Sequence, residues 1–155
     1  TVECWTVGAG QVANLDYASS GIYLMETEVL GPLTNIAPGG STHFAIEWGS
    51  CRCKGAVVDV QPGGCAATRL TAQIAGDQVH LTGSFGVFDA GQLFVVWCDA
   101  AGHTVATTLA GPVDPLTALD VAVTLPKPAA AVSIELHVRA NADGVERRLA
   151  ASELH

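Results

Sequence analysis

Residues 123–144 read VTLPKPAAAVSIELHVRANADG, and the reading of the middle of this run decides the fold. Val132, Ile134, Leu136, Val138 and Ala140 alternate there with Ser133, Glu135, His137, Arg139 and Asn141. A period of two puts one set on each face of an extended strand, whereas a helix would spread both sets around its circumference. The apolar set then belongs to a core. The polar set places an acid, an imidazole and a guanidinium side by side. Such a row is by default a solvated face. If a polar ligand lies on the sheet, however, Glu135, His137 and Arg139 have the donors and acceptors to hold its hydroxyls.

The same alternation recurs between clusters of Gly, Pro, Asn and Asp, and helical periodicity is nearly absent. Candidate strands are Glu3 to Val7, Ile22 to Leu30, Thr42 to Trp48, Ala56 to Val60, Thr68 to Ile74 and Gln78 to Ser84. They continue with Gln92 to Cys98, Thr104 to Leu109, Ala118 to Leu125, Ala131 to Ala140 and Val145 to Leu149. In Thr42 to Trp48, Phe44, Ile46 and Trp48 share one face, and they are expected in one core with Val95, Trp97, Ile134, Leu136 and Val138. The run QLFVVWC (Gln92–Cys98) is apolar on both faces and belongs in the middle of a sheet. Turns are marked by Gly76-Asp77 and Ala101-Gly102. Many short strands with regular turn signals predict an all-β sandwich of two antiparallel sheets and about 9–11 strands. No linker or repeat divides the sequence, so residues 1–155 are expected to form a single domain.

Composition narrows the function. Charged residues make up 14% of the chain against roughly 25% in ordinary soluble domains. Apolar surface in excess of what a monomer comfortably exposes points to an oligomer or larger assembly. A net charge of -8 argues against binding a nucleic-acid backbone. No apolar run is long enough for a membrane span. The chain opens at Thr1, not Met, and is therefore expected to be processed, excised or incomplete at its start.

Three of the five cysteines lie in CRCKGAVVDVQPGGC, residues 51–65. A loop returning through Pro62-Gly63-Gly64 can bring Cys65 back to Cys51 or to Cys53. A disulfide there would suit an extracellular life. Free thiols and a zinc site are the alternatives, although the spacing is not that of paired C-x2-C motifs.

Catalytic patterns are weak. Ser41, His43 and Glu47 lack a nucleophile elbow and an oxyanion hole. Cys98 and His103 have a copper-like spacing, but no methionine follows them. Asp89, Asp114 and Asp120 fall in separate turns, where Asp usually bonds its own backbone. The chain is therefore read as a non-enzyme. The segment GSFGVFDAG (residues 83–91) sets Phe85 and Phe88 among glycines beside Asp89. Read as a loop, it would offer two rings for stacking and a carboxylate to accept from hydroxyls; read as a hairpin end, its rings would fold back on the core.

The order of several motifs carries a resemblance. WTVGAGQV, DYASSGIYL and PLTNIAPGGSTHFAIEWGS in the first half, then FVVWCDAAGHTV and VTLPKPAAAVSIELHVRA in the second, follow one another as in carbohydrate-binding modules. The chain thus resembles the galactose-binding-like jelly roll over most of its length, except residues 51–88. That resemblance implies a jelly-roll sandwich acting as a carbohydrate-binding or adhesive module of a secreted, cell-surface or virion protein. Its partner would be a glycan. The family's last strand commonly carries a calcium-binding aspartate, but here VERRLAASEL puts Ala150 or Ala151 at that place. No cofactor is expected, and Asp16 and Glu26 remain as weak calcium candidates. Low charge and few aromatics favour a different class of function. This would be a structural subunit of a capsid, tail or surface layer, with a neighbouring protein subunit as partner.

Overall fold

The computed structural model describes residues 2–7 and 24–154. Ten strands run through them: β1 (Val2–Val7), β2 (Leu24–Val29), β3 (Asp59–Gln61), β4 (Gly64–Ala75) and β5 (Gln78–Val87), then β6 (Gly91–Cys98), β7 (Thr104–Val113), β8 (Leu119–Pro126), β9 (Ser133–Ala140) and β10 (Glu146–Glu153). Among the described residues there is no helix. Backbone contacts divide the chain into two compact units, Thr1–Glu47 and Trp48–His155. In the first, β1 and β2 form an antiparallel pair that sets Cys4 opposite Thr27 and Trp5 opposite Glu26.

The second unit is the all-β sandwich that the alternation predicts. One four-stranded antiparallel sheet has the order β10-β9-β6-β7, the other β3-β4-β5-β8. The chain changes sheet between β5 and β6, between β7 and β8, and between β8 and β9. These Greek-key connections interleave the two sheets in sequence. β9 lies between β6 and β10, with Ile134 opposite Trp97 and Leu136 opposite Val95. Every second residue of β9 (Ile134, Leu136, Val138, Ala140) is buried, while Arg139 is exposed. The row quoted first is therefore the outer face of a central strand.

A single core joins the sheets. Leu70, Leu81, Phe85, Val87 and Val121 from one side meet Leu93, Val95, Trp97, Ile134, Leu136 and Leu149 from the other. Each fully buried aliphatic or aromatic side chain of this size contributes about 1.5–3 kcal/mol of hydrophobic stabilisation. In β10 the register shifts between Arg148 and Ala150, so Arg148 stays on the outer face while Leu149 and Ala150 are both buried.

The turns follow their residue chemistry. Gly76, between β4 and β5, takes a positive φ of 66°, which a side chain would oppose. After β6, the Asp99 carboxylate accepts the backbone N–H groups of Ala101 and His103, both at 2.9 Å. These bonds, that to His103 foremost, hold its carboxyl below the usual range. Asp114 accepts from the Leu116 N–H at 2.7 Å in the turn before β8.

One stretch differs from expectation. Thr42 to Trp48 forms no strand, and Phe44, Ile46 and Trp48 are 52%, 44% and 68% exposed rather than in the core. The reason is pairing: none of the described strands is hydrogen-bonded to this segment. Of Ala56 to Val60, only Asp59 and Val60 enter a strand, as part of the three-residue β3.

Candidate functional site

The outer face of the β10-β9-β6-β7 sheet gathers the chain's densest set of described charged side chains. Antiparallel register places Glu146 opposite Arg139 and Arg148 opposite His137 on one side of β9. On the other side, Gln92 lies opposite Arg139 and Phe94 opposite His137. Five ionisable groups and one ring therefore meet where sequence alone named three residues.

Their contacts form a chain. Arg148 Nη1 donates to Glu135 Oε1 at 3.4 Å, and Glu135 Oε2 accepts from His137 Nε2 at 2.7 Å. The other face of the imidazole looks toward Glu146, whose Oε2 is 4.0 Å from Nδ1. Glu146 Oε1 in turn accepts from Arg139 Nε at 3.0 Å and from Nη2 of the same guanidinium. Arg139 lies over the Phe94 ring, 4.5 Å from its centroid, a cation–π contact that covers the half-buried ring. Arg148 also reaches Gln61 Oε1 of β3 at 3.4 Å, tying the two sheets at one edge. His137 Nδ1 is buried and has no hydrogen-bond partner.

Beside the network lies a polar depression of about 320 Å³, lined by Ser133, Glu135, Arg148, Ala151, Ser152 and Glu153. Carboxylate acceptors and guanidinium donors at its wall can engage hydroxyl or amide groups. Of these, Glu135 and Arg148 are already paired with each other at 3.4 Å.

The loop reading of residues 83–91 is corrected by the structure. Phe85 lies on β5 and is fully buried, so its ring packs in the core and is closed to a ligand. The neighbouring glycine serves that packing: a Cβ on Gly83 would stand 2.6 Å from the Phe85 ring. Phe88 is half-buried, its ring lying so close to Gly49 that a Cβ there would stand 2.8 Å away. Asp89 faces Arg147 Nη1 at 3.7 Å. Phe88 and Asp89 thus sit apart from the Glu135, His137, Arg139 row in their recorded contacts.

The cysteine loop closes as its turn suggests. Cys51 Sγ and Cys65 Sγ are 3.4 Å apart, both as free thiols, and Cys53 donates to the Gly55 carbonyl at 3.4 Å. Cys98 is buried, and burial, with Glu135 and Asp99 adding to it, pushes its thiol up. His103 is 80% exposed and 3.6 Å from Asp99 Oδ2, its carboxylate neighbour in the turn. Of the calcium candidates, Asp16 lies outside the described residues, and Glu26 is placed on β2. Among the described residues, no group of three or more His, Cys, Asp and Glu side chains is arranged to hold a metal ion.

Glu146, Arg148 and Phe94 were not singled out in the sequence. The signal for the first two was present: Glu146 and Arg148 alternate with Arg147 and Leu149 just past the Asn141–Gly144 turn, which folds them back against β9. Comparison of the chain with protein-family models, with curated proteins and with solved structures returned no match.

Proposed function

We propose that this chain is a non-catalytic β-sandwich module that works by association. Part of its surface is covered by a neighbouring protein subunit in a capsid, tail or surface-layer assembly. The observation that carries this reading is the apolar stretch ahead of β3. Leu33, Ile36, Phe44, Ile46 and Trp48 are all 44% exposed or more, within sixteen residues of one another. Monomeric proteins seldom leave so much contiguous sequence of this kind in water, and exposed patches of this composition are where partners dock. The sandwich adds an open flank: between β6, β7 and β8 lies a groove of about 290 Å³ lined by Leu93, Leu109, Val121, Val123 and Leu125, among others. β7 and β8 are edge strands, with backbone groups free to pair.

A second reading is supported by the polar face. Arg139 over Phe94, with Glu135 and Arg148 at the depression beside them, matches what a glycan needs: hydroxyl-binding groups near a ring. On this reading the chain is the carbohydrate-binding or adhesive module of a secreted, cell-surface or virion protein that its motif order resembles, with no metal required. Size-exclusion chromatography with in-line light scattering, run beside a glycan array, separates the two. Concentration-dependent mass with a blank array supports the assembly module. A monomer that lights specific glycans, and loses them in Arg139→Ala, supports the glycan module and sets the first reading aside.

A further inference from the structure

We propose that Cys51 and Cys65 are the built-in partners of a disulfide, formed by exchange with a small-molecule disulfide and stapling the segment before β3 onto the sheet. The inference holds whichever macromolecule the module binds.

Three features of the fold bring these sulfurs together. Cys65 lies on β4 between Val60 of β3 and Gly86 of β5. Cys51 comes from outside the sheet, in a segment held by the Arg52 N–H bond to the Pro115 carbonyl (2.8 Å) and by the ion pair of Lys54 with Asp120. The place that receives its sulfur is Gly86. A Cβ there would stand 2.5 Å from Cys51 Sγ and 2.6 Å from the Arg52 carbonyl oxygen, so any side chain would push the segment off. A glycine near the end of a strand that admits one thiol beside another is a socket for a sulfur. The 3.4 Å between the sulfurs must shrink to about 2.05 Å in the bond, a closure within reach of side-chain rotation.

The chemistry assigns the order of attack. Cys65 is 4% exposed, and burial, with the Cys51 and Cys53 thiols beside it, pushes it up to about 12. It is a poor first nucleophile toward a dissolved oxidant. Cys51 is only half-buried and makes the first attack. Its thiolate displaces one thiolate from a small disulfide RSSR, giving a mixed disulfide on Cys51 and releasing RS⁻. Cys65 then gives up its proton to RS⁻ or to water, and its sulfur attacks Cys51 Sγ, expelling the second RS⁻. Two protein thiols are oxidised to one disulfide while RSSR is reduced to two RSH. Cys53, two residues away, is the competitor for Cys65, but its thiol bonds the Gly55 carbonyl.

The test is thiol mapping. The folded protein is incubated with oxidised glutathione, denatured, alkylated and digested, and the peptides are analysed by mass spectrometry. The expected result is a Cys51–Cys65 cross-linked peptide with Cys53 and Cys98 alkylated. Cys53→Ser should form it at a rate within about twofold of the parent. Cys51→Ser should lose it, and Gly86→Ala should slow it about tenfold by moving the sulfurs apart. The oxidised protein should also melt roughly 10 °C above the reduced one, a gain absent from Cys51→Ser. A dominant Cys53–Cys65 cross-link, or full alkylation of Cys51 and Cys65 after oxidation of the folded parent or of Cys53→Ser, would overturn the assignment.

Discussion

Phe44, Ile46 and Trp48 alternate with Ala45 and Glu47 as regularly as Ile134, Leu136 and Val138 alternate with Glu135 and His137. The later triplet is buried to 1% exposure or less, and the earlier one is 44–68% exposed. Residue chemistry does not separate them, for both runs are β-prone and apolar on one side. What separates them is the ladder. β9 is hydrogen-bonded to β6 on one side and β10 on the other, so its backbone polar groups are satisfied while its apolar face seals the core. The earlier segment follows the Pro38-Gly39-Gly40 turn and has no strand partner among the described residues. A single extended segment cannot bury its own face. Alternation thus licenses a strand, and pairing makes one; on the function proposed above, this segment, unpaired among the described residues, is where a partner docks.

The strongest way to break this comparison is a matched pair of charges. Ile134→Asp puts a carboxylate into a site that excludes water and should cost several kcal/mol, enough to unfold the sandwich. Ile46→Asp should change stability by no more than about 0.5 kcal/mol. Thermal melts followed by circular dichroism would read both, and equal losses would erase the distinction. A gentler version uses the indoles: Trp97→Ala should cost about 3–5 kcal/mol, and Trp48→Ala less than about 1 kcal/mol. Acrylamide quenching sharpens it further, since Trp48 should be quenched freely and Trp97 shielded.

Smaller effects belong to the polar face. His137→Ala removes the bond to Glu135 from a side chain that is 20% exposed, and should cost about 0.5–1.5 kcal/mol in urea denaturation. Smallest of all is a pH effect at the turn after β9. Hydrogen bonds from Arg147, then from the Val145 N–H, lower the Asp143 carboxyl from 3.8 to about 2. Its folded value lies below its unfolded one, so its stabilisation is present above about pH 4 and is lost as pH falls toward 2. Asp143→Asn should flatten the acid limb of the stability curve slightly over that window; an unchanged limb would show that the turn's ion pair contributes nothing.

The sandwich was legible because β8 and β9 obey period two and several turns, such as those at Gly76, Asp99 to Gly102 and Gly144, carry Gly or Asp where backbone geometry asks for them. Half of the polar face was legible too. Glu135, His137 and Arg139 share one strand and can be read off it, whereas Glu146, Arg148 and Phe94 come from neighbouring strands whose register only the folded sheet fixes. For Phe85 the core alternative is the one the fold realises. Glycine beside it suggests a loop, but Gly83 gives way to the Phe85 ring and Gly86 to Cys51. Glycine within a strand can mark close approach rather than a turn.

The most direct test of the account is the solution mass of the intact chain across a wide concentration range, beside a variant carrying Phe44→Ser, Ile46→Ser and Trp48→Ser. The account predicts that the parent's mass rises above the monomer with concentration, and that the variant stays monomeric with an unchanged melting temperature. A parent that remains monomeric throughout, or a variant that unfolds, would contradict the claim that this segment is an unpaired surface awaiting a partner.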